Sequence, residues 1–151
     1  MNTLHLNAII VRSLGPHDYL NCIKLDNETL GGLWSESQWI QELEDMNRPC
    51  IGIWTKGKLL AIGCGWMVAD ELHITMITVA IHRQRAGLGY QIISILLNQG
   101  RILGAKHATL EVNAKNHVAI QLYKKIGFLI AGDRSAYYKK NENAIIHWLK
   151  L

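Results

Sequence analysis

The sequence predicts a mixed α/β (α+β) domain with a largely antiparallel sheet and one parallel crossover inside it. Three observations carry that prediction. Strand-like apolar runs fill residues 50–81 almost without interruption. Two stretches of helical period follow, at 87–103 and 116–128. Between them lies HATLEVNA (107–114), a strand-like run that makes a strand–helix–strand unit with its neighbours.

Taken in order, HLNAIIVR (5–12) reads as a strand. PHDYLNCIKLDNETLG (16–31) reads as a helix, with Pro16 in its first turn where no amide donor is needed. SESQWIQELEDM opens a second helix at Ser35. Gln38 stands three residues on, as a capping box requires, and acidic residues suit the early turns. CIGIWTK (50–56) and KLLAIGCGWMVA (58–69) read as a hairpin joined at Lys56-Gly57-Lys58. Asp70-Glu71 turns into LHITMITVAI (72–81), rich in β-branched residues. The helix from Gly87 to Leu103 carries a stripe of Leu88, Ile92, Ile95 and Leu96, broadened by Ile93, Leu97 and Leu103. NHVAIQLYKKIGF (116–128) holds a helix stopped at Gly127, with a core stripe of Val118, Ala119, Leu122 and Ile126. FLIAGDR and AIIHWLKL supply two last strands. The order is β-α-α-β-β-β-α-β-α-β-β, with no linker dividing it, so residues 1–151 are expected to form one domain.

Composition narrows the function classes. The 49% apolar and 19% charged content is that of a globular chain, not a disordered one. The first dozen residues lack the pattern of a signal peptide, and LLAIGCGWMVA (59–69) is too short to span a bilayer. A cytoplasmic protein without membrane association is expected. Cys22, Cys50 and Cys64 form no CxxC pair, and the histidines form no HExxH or HxxxH pair. Reduced, buried thiols and no metal are expected. The net charge of +4 fits an anionic partner, but no lysine- or arginine-rich block of the kind that grips nucleic acid is present. Nothing in the sequence requires more than a monomer.

RQRAGLG (83–89) sits between a strand and a helix N-terminus, where outward-pointing amides and the helix dipole favour an anion. The Walker A pattern is absent, and GxGxxG fails because its third glycine is missing. What remains is Gln84-x-x-Gly87-x-Gly89, following Thr78-Val79-Ala80-Ile81. By itself this is either an anion cradle or an ordinary glycine turn.

That loop resembles the pyrophosphate-binding signature of the GNAT superfamily of acetyltransferases. TLEVNAKNHVAIQLYKKIGF (109–128) resembles the family block LEVRxSNxxAIxLYxxxGF, at the spacing of the RimI branch, the Nα-terminal protein acetyltransferases. Arg134-x-x-Tyr137-Tyr138 is similar to RxxYY, Glu142-Asn143-Ala144-Ile145-Ile146 to EDAIIM, and Trp34-Ser35-Glu36 to PWSE. Leu33, Ile81 and Asn143 depart from the family's usual residues.

The resemblance implies the GNAT fold, a mixed and mostly antiparallel sheet of about seven strands flanked by about four helices. It implies acetyl transfer from acetyl-CoA to a protein N-terminus, of a ribosomal protein in the RimI branch. The same scaffold could serve a small-molecule amine, a lysine, or a non-catalytic acyl-CoA-binding module. Glu111 is implied as general base and Tyr123 as general acid. Ile77, Thr78 and Val79 would line the pantetheine with backbone groups, and Arg85, Ala86, Gly87, Leu88, Gly89 and Tyr90 would hold the pyrophosphate. Asn116 would bond the cofactor's arm, and Trp34, Tyr137 and Tyr138 would wall the peptide groove.

Each residue also has a plainer reading. Glu111 alternates onto one strand face with Thr109 and Asn113 and could be a solvent-facing glutamate. If helices cover both faces, desolvation would raise its pKa toward a useful value. Tyr123 could be an ordinary helix-rim tyrosine, Asn116 a cap alone, and Trp34 a core residue. His73 reads as a hydrogen-bonded strand-edge histidine. An α-amine, with a pKa near ~8 against ~10.4 for lysine, suits a single modest carboxylate base.

Overall fold

The computed structural model describes residues 8–84, 87–133 and 144–151. Seven strands form one sheet: β1 (Ile9–Ser13), β2 (Cys50–Thr55), β3 (Lys58–Val68), β4 (Glu71–Val79), β5 (His107–Asn113), β6 (Leu129–Asp133) and β7 (Ala144–Lys150). Their spatial order is β1-β2-β3-β4-β5-β7-β6, and β4–β5 is the one parallel pair. Four α-helices flank the sheet: α1 (Tyr19–Leu30), α2 (Glu36–Glu44), α3 (Leu88–Ile102) and α4 (His117–Ile126).

The local signals act as expected at most joints. Ser35 and Gln38 form a reciprocal capping box, with Ser35 N–H donating to Gln38 Oε1 at 2.7 Å and Gln38 N–H to Ser35 Oγ at 3.2 Å. Lys56 and Gly57 both take positive φ, 50° and 73°, which is the left-handed pair that a two-residue hairpin turn needs. Two boundaries differ, and a third lies outside what the structure describes. The first helix opens as a 3-10 turn, Pro16–Asp18, because the buried Asp18 carboxylate takes the Gly15 amide and the two terminal nitrogens of the Arg12 guanidinium. The strand expected to reach residue 81 ends at Val79, and Ile81–Arg83 forms another 3-10 turn. Residues 5–7 of the first predicted strand lie outside the described residues.

Two apolar layers hold the sheet. On one face, α3 buries Leu88, Ile92, Ile93, Leu96 and Leu97 against Ile51, Ile53, Leu72, Ala108, Leu110 and Val112. The helix α4 adds partly buried Ala119, Ile120, Leu122, Tyr123 and Ile126 to this layer. Leu103 and Val118 were expected in these stripes but are 45% and 73% exposed. Leu103 has already left α3, and Val118 lies in the first turn of α4, facing out. On the other face, α1 and α2 cover β2–β4 through Cys22, Leu25, Trp39, Leu43, Trp54, Ile62 and Met76. The three cysteines are free and buried, and Cys50 faces Cys64 across β2–β3. Burial raises the Cys22 and Cys64 thiols well above their ordinary range, so they stay protonated.

A buried carboxylate fixes the α1–α2 corner. Asp26 accepts the amides of Leu33 (2.8 Å) and Trp34 (3.0 Å) and the Trp39 indole N–H (3.0 Å). Asp26→Ala would strand these donors beside a buried core. Its unfolding free energy should fall by about 3 kcal/mol, measured as a shift of the urea midpoint. A loss below about 1 kcal/mol would mean that water replaces the carboxylate at little cost.

Candidate active site

The opening in the sheet comes from a bulge. On β3, Cys64 and Gly65 are consecutive, yet they face Met76 and Ile74 of β4, leaving Thr75 as an extra residue. Such an insertion bends a strand and increases its twist. The ladder between β4 and β5 pairs only Glu71–His107, Leu72–Ala108 and His73–Thr109. Beyond the bulge, Met76–Val79 and Leu110–Asn113 do not pair with each other, although β3 and β7 hold their outer edges. The result is a slot between two strands in the middle of a continuous sheet. Backbone amides and carbonyls on its two rims are left for a ligand.

Two helices begin at the mouth of this slot. One is α3, following the loop after β4, and the other is α4, following β5. Both direct N-terminal amides and the positive end of their dipoles there. Gly87 caps α3 at φ 83°, and a Cβ there would meet nothing within 4 Å. Its backbone is therefore open to an approaching group. Gly89 differs, because a Cβ there would lie 3.2 Å from Leu122 Cδ2. Its small size lets α3 close on α4, a role the sequence did not reveal. Leu88 is core, and Tyr90 is exposed with Lys125 Nζ 5.5 Å from its ring centroid. Asn116 caps α4 through its Oδ1, which accepts from Ala119 N–H at 3.2 Å. Arg85 and Ala86 lie outside the described residues.

Glu111 and Tyr123 stand on opposite faces of the slot's β5 wall. Glu111 pairs in register with Ile146 and is exposed. The expected desolvation is absent because α1 and α2 cover β2–β4 and stop short of this face of β5. Tyr123 lies on the α3–α4 face, edge-on to Phe128 (5.9 Å) and His147 (6.0 Å). Burial raises its phenol above the ordinary range, so it holds its proton at neutral pH. His147, passed over in the sequence, is fully buried. The alternation Ile145-His147-Leu149 could have revealed it, since it places a histidine in an inward-facing phase.

On the β4 side, Ile77 and Val79 pack into the α3 layer. Thr78 turns to α1, its hydroxyl donating to Thr29 Oγ1 at 2.6 Å. Trp34 is half-buried, edge-on to Trp39 at 4.7 Å, and so belongs partly to the core. Tyr137 and Tyr138, with Arg134, Glu142 and Asn143, lie outside the described residues. His73 Nδ1 lies 3.0 Å from Thr109 Oγ1 and its Nε2 3.4 Å from Glu71 Oε2, so it is hydrogen-bonded as expected; it is not at a strand edge, since central β4 pairs it with Trp66 on one side and Thr109 on the other.

Comparison with known proteins agrees with this geometry. The profile of the acetyltransferase (GNAT) family matches residues 18–128. An Escherichia coli (strain K12) protein named ribosomal protein bS18-alanine N-acetyltransferase is 37% identical over 93 residues, covering 60% of this chain and 63% of that protein. The crystal structure of the Escherichia coli ribosomal-protein-S18-alanine N-acetyltransferase superposes with TM-score 0.85 at 28% identity, covering 95% of this chain and 94% of that one. The fold alone is shared with the PaiA N-acetyltransferase of Thermoplasma acidophilum in complex with coenzyme A, at TM-score 0.80 and 15% identity, covering 95% of this chain and 99% of that one.

The two loop glycines should respond differently to alanine. Gly87→Ala forces a side chain into the left-handed region and should cost about 1 kcal/mol. Gly89→Ala gains helix propensity and presses only a flexible leucine methyl, so its stability should change by less than about 0.5 kcal/mol. Thermal unfolding of both variants checks this, and the reverse order would contradict the assignment.

Proposed function

The chain belongs to the acetyltransferase (GNAT) family and is an acetyl-CoA-dependent N-acetyltransferase; we propose that its acceptor is the N-terminal α-amine of a protein. The relatives that act on ribosomal protein bS18 support a ribosomal protein as that acceptor. The observation that carries the reading is the slot between β4 and β5, with an exposed carboxylate on one side of its β5 wall and a protonated phenol on the other.

Acetyl-CoA would supply the acyl group as a thioester. The unpaired rim at Ile77–Val79 offers backbone groups to its arm, and the opening turn of α3, from Gly87, offers amides to its diphosphate. Asn116 uses its Oδ1 in the cap of α4, which leaves its Nδ2 amide to donate to the cofactor's arm at the mouth. The acceptor approaches from the face of Glu111 and Trp34. Glu111 takes a proton from the ammonium, directly or through water, leaving a neutral amine to attack. An exposed carboxylate is adequate here, since an α-amine with a pKa of ~8 is already partly neutral at neutral pH. Tyr123 holds the proton for the departing sulfur, and its burial keeps that proton in place. Direct transfer fits the cysteines, since all three are buried, two of them held well above the ordinary thiol range.

Glu111→Gln should retain acetyl-CoA binding and lose at least about tenfold in turnover. Tyr123→Phe keeps both ring contacts, so its melting temperature should hold while turnover falls by a similar factor. Unchanged turnover in either variant removes that residue from the chemistry. Assayed with N-terminal peptides, lysine peptides and polyamines, the protein should label α-amines first, and preferential labelling of a polyamine overturns the acceptor class.

A further inference from the structure

A cavity of about 780 Å³ lies at the end of the β2–β3 hairpin, next to the segment that joins β4 to the loop before α3. It is formed between α1, the β2–β3 turn and the 3-10 turn after β4. Lys24, Lys56, Lys58 and Arg83 line it, and Glu28 is its one carboxylate. Among the described residues none of these four cations is in an ion pair. Four cations against one carboxylate leave three net positive charges at one groove of a chain whose total is +4. Lys56 adopts φ 50°, a conformation that asparagine or glycine takes with less strain, so a cation is kept there at a conformational cost.

We propose that this groove binds a multiply phosphorylated small molecule of nucleotide size, at a site separate from acetyl-CoA. The volume falls within the roughly 300–1,000 Å³ of small-molecule sites. Buried Leu25 and Leu59 form an apolar floor beneath the cationic rim. The lining contains no Trp, Tyr or Phe, and the single imidazole of His82 is no platform for successive bases, which argues against a single-stranded nucleic acid. Its charge also repels the cationic acceptor amine, so the groove does not extend the acceptor path.

The test is calorimetric titration of the full chain, saturated with acetyl-CoA, using AMP, ADP and ATP as probes. ATP should bind at one equivalent, more tightly than AMP, and more weakly as salt is raised. Lys24→Glu combined with Lys58→Glu should weaken ATP at least about tenfold while the KM for acetyl-CoA and basal turnover hold. The milder Lys24→Gln, Lys58→Gln pair gives the same direction if charge reversal impairs folding. Competition between ATP and acetyl-CoA, ATP binding indifferent to both pairs of substitutions, or no binding at all would overturn the proposal. So would a short oligoadenylate binding more than about tenfold more tightly than ATP, which would make the groove a nucleic-acid surface.

Discussion

One extra residue in one strand determines where everything else can happen. Thr75 is inserted into β4 without a partner on β3, and β4 changes course at that point. A parallel ladder that would otherwise continue stops after His73–Thr109. Unpaired backbone in a sheet interior is costly, because each exposed amide and carbonyl gives up a hydrogen bond. It is tolerable here because β3 and β7 secure the outer edges and the inner rims face an opening. That opening then fixes the meaning of the flanking residues. The N-termini of α3 and α4 meet at its mouth, and Glu111 and Tyr123 stand on its two sides.

The two helical layers are unequal, and the inequality separates the two chemical roles. Helices α3 and α4 cover one face out to Val112, so Tyr123 is packed between Phe128 and His147 with its proton retained. The helices α1 and α2 cover only β2–β4, leaving the Glu111 face of β5 to solvent. In the proposed mechanism the half-buried phenol donates and the exposed carboxylate accepts. Neither needs an extreme environment to do so at neutral pH. Asp26 maintains this division. By capping the Leu33 and Trp34 amides and the Trp39 indole it holds the α1–α2 corner, and with it Trp34, beside the open face.

Much of the fold was legible because its signals are local. The capping box at Ser35, the Lys56-Gly57 turn, the Asn116 cap and the Gly127 stop each depend on a few neighbouring residues. The same locality explains the errors. Val118 fits a helical stripe by spacing, but a stripe says nothing about where the neighbouring helix ends, and Val118 is left in solvent. The bulge was legible in principle. Polar residues at His73, Thr75 and Thr78 shift the alternation of β4 by one, although β-branched residues throughout make the run read as regular.

The sequence by itself determined the element order, the parallel crossover, the buried thiols and, through its resemblance, the family and its two candidate catalytic side chains. Those depend on periodicity, turn chemistry and short motifs, which the chain carries along its length. Only the tertiary structure decided that Glu111 is exposed, that Gly89 serves a helix–helix contact, that His147 packs against Tyr123, and that the basic residues of α1, a hairpin turn and a distant loop surround one groove. Burial and charge clustering are properties of which elements come to lie together, and no single stretch of the chain encodes them.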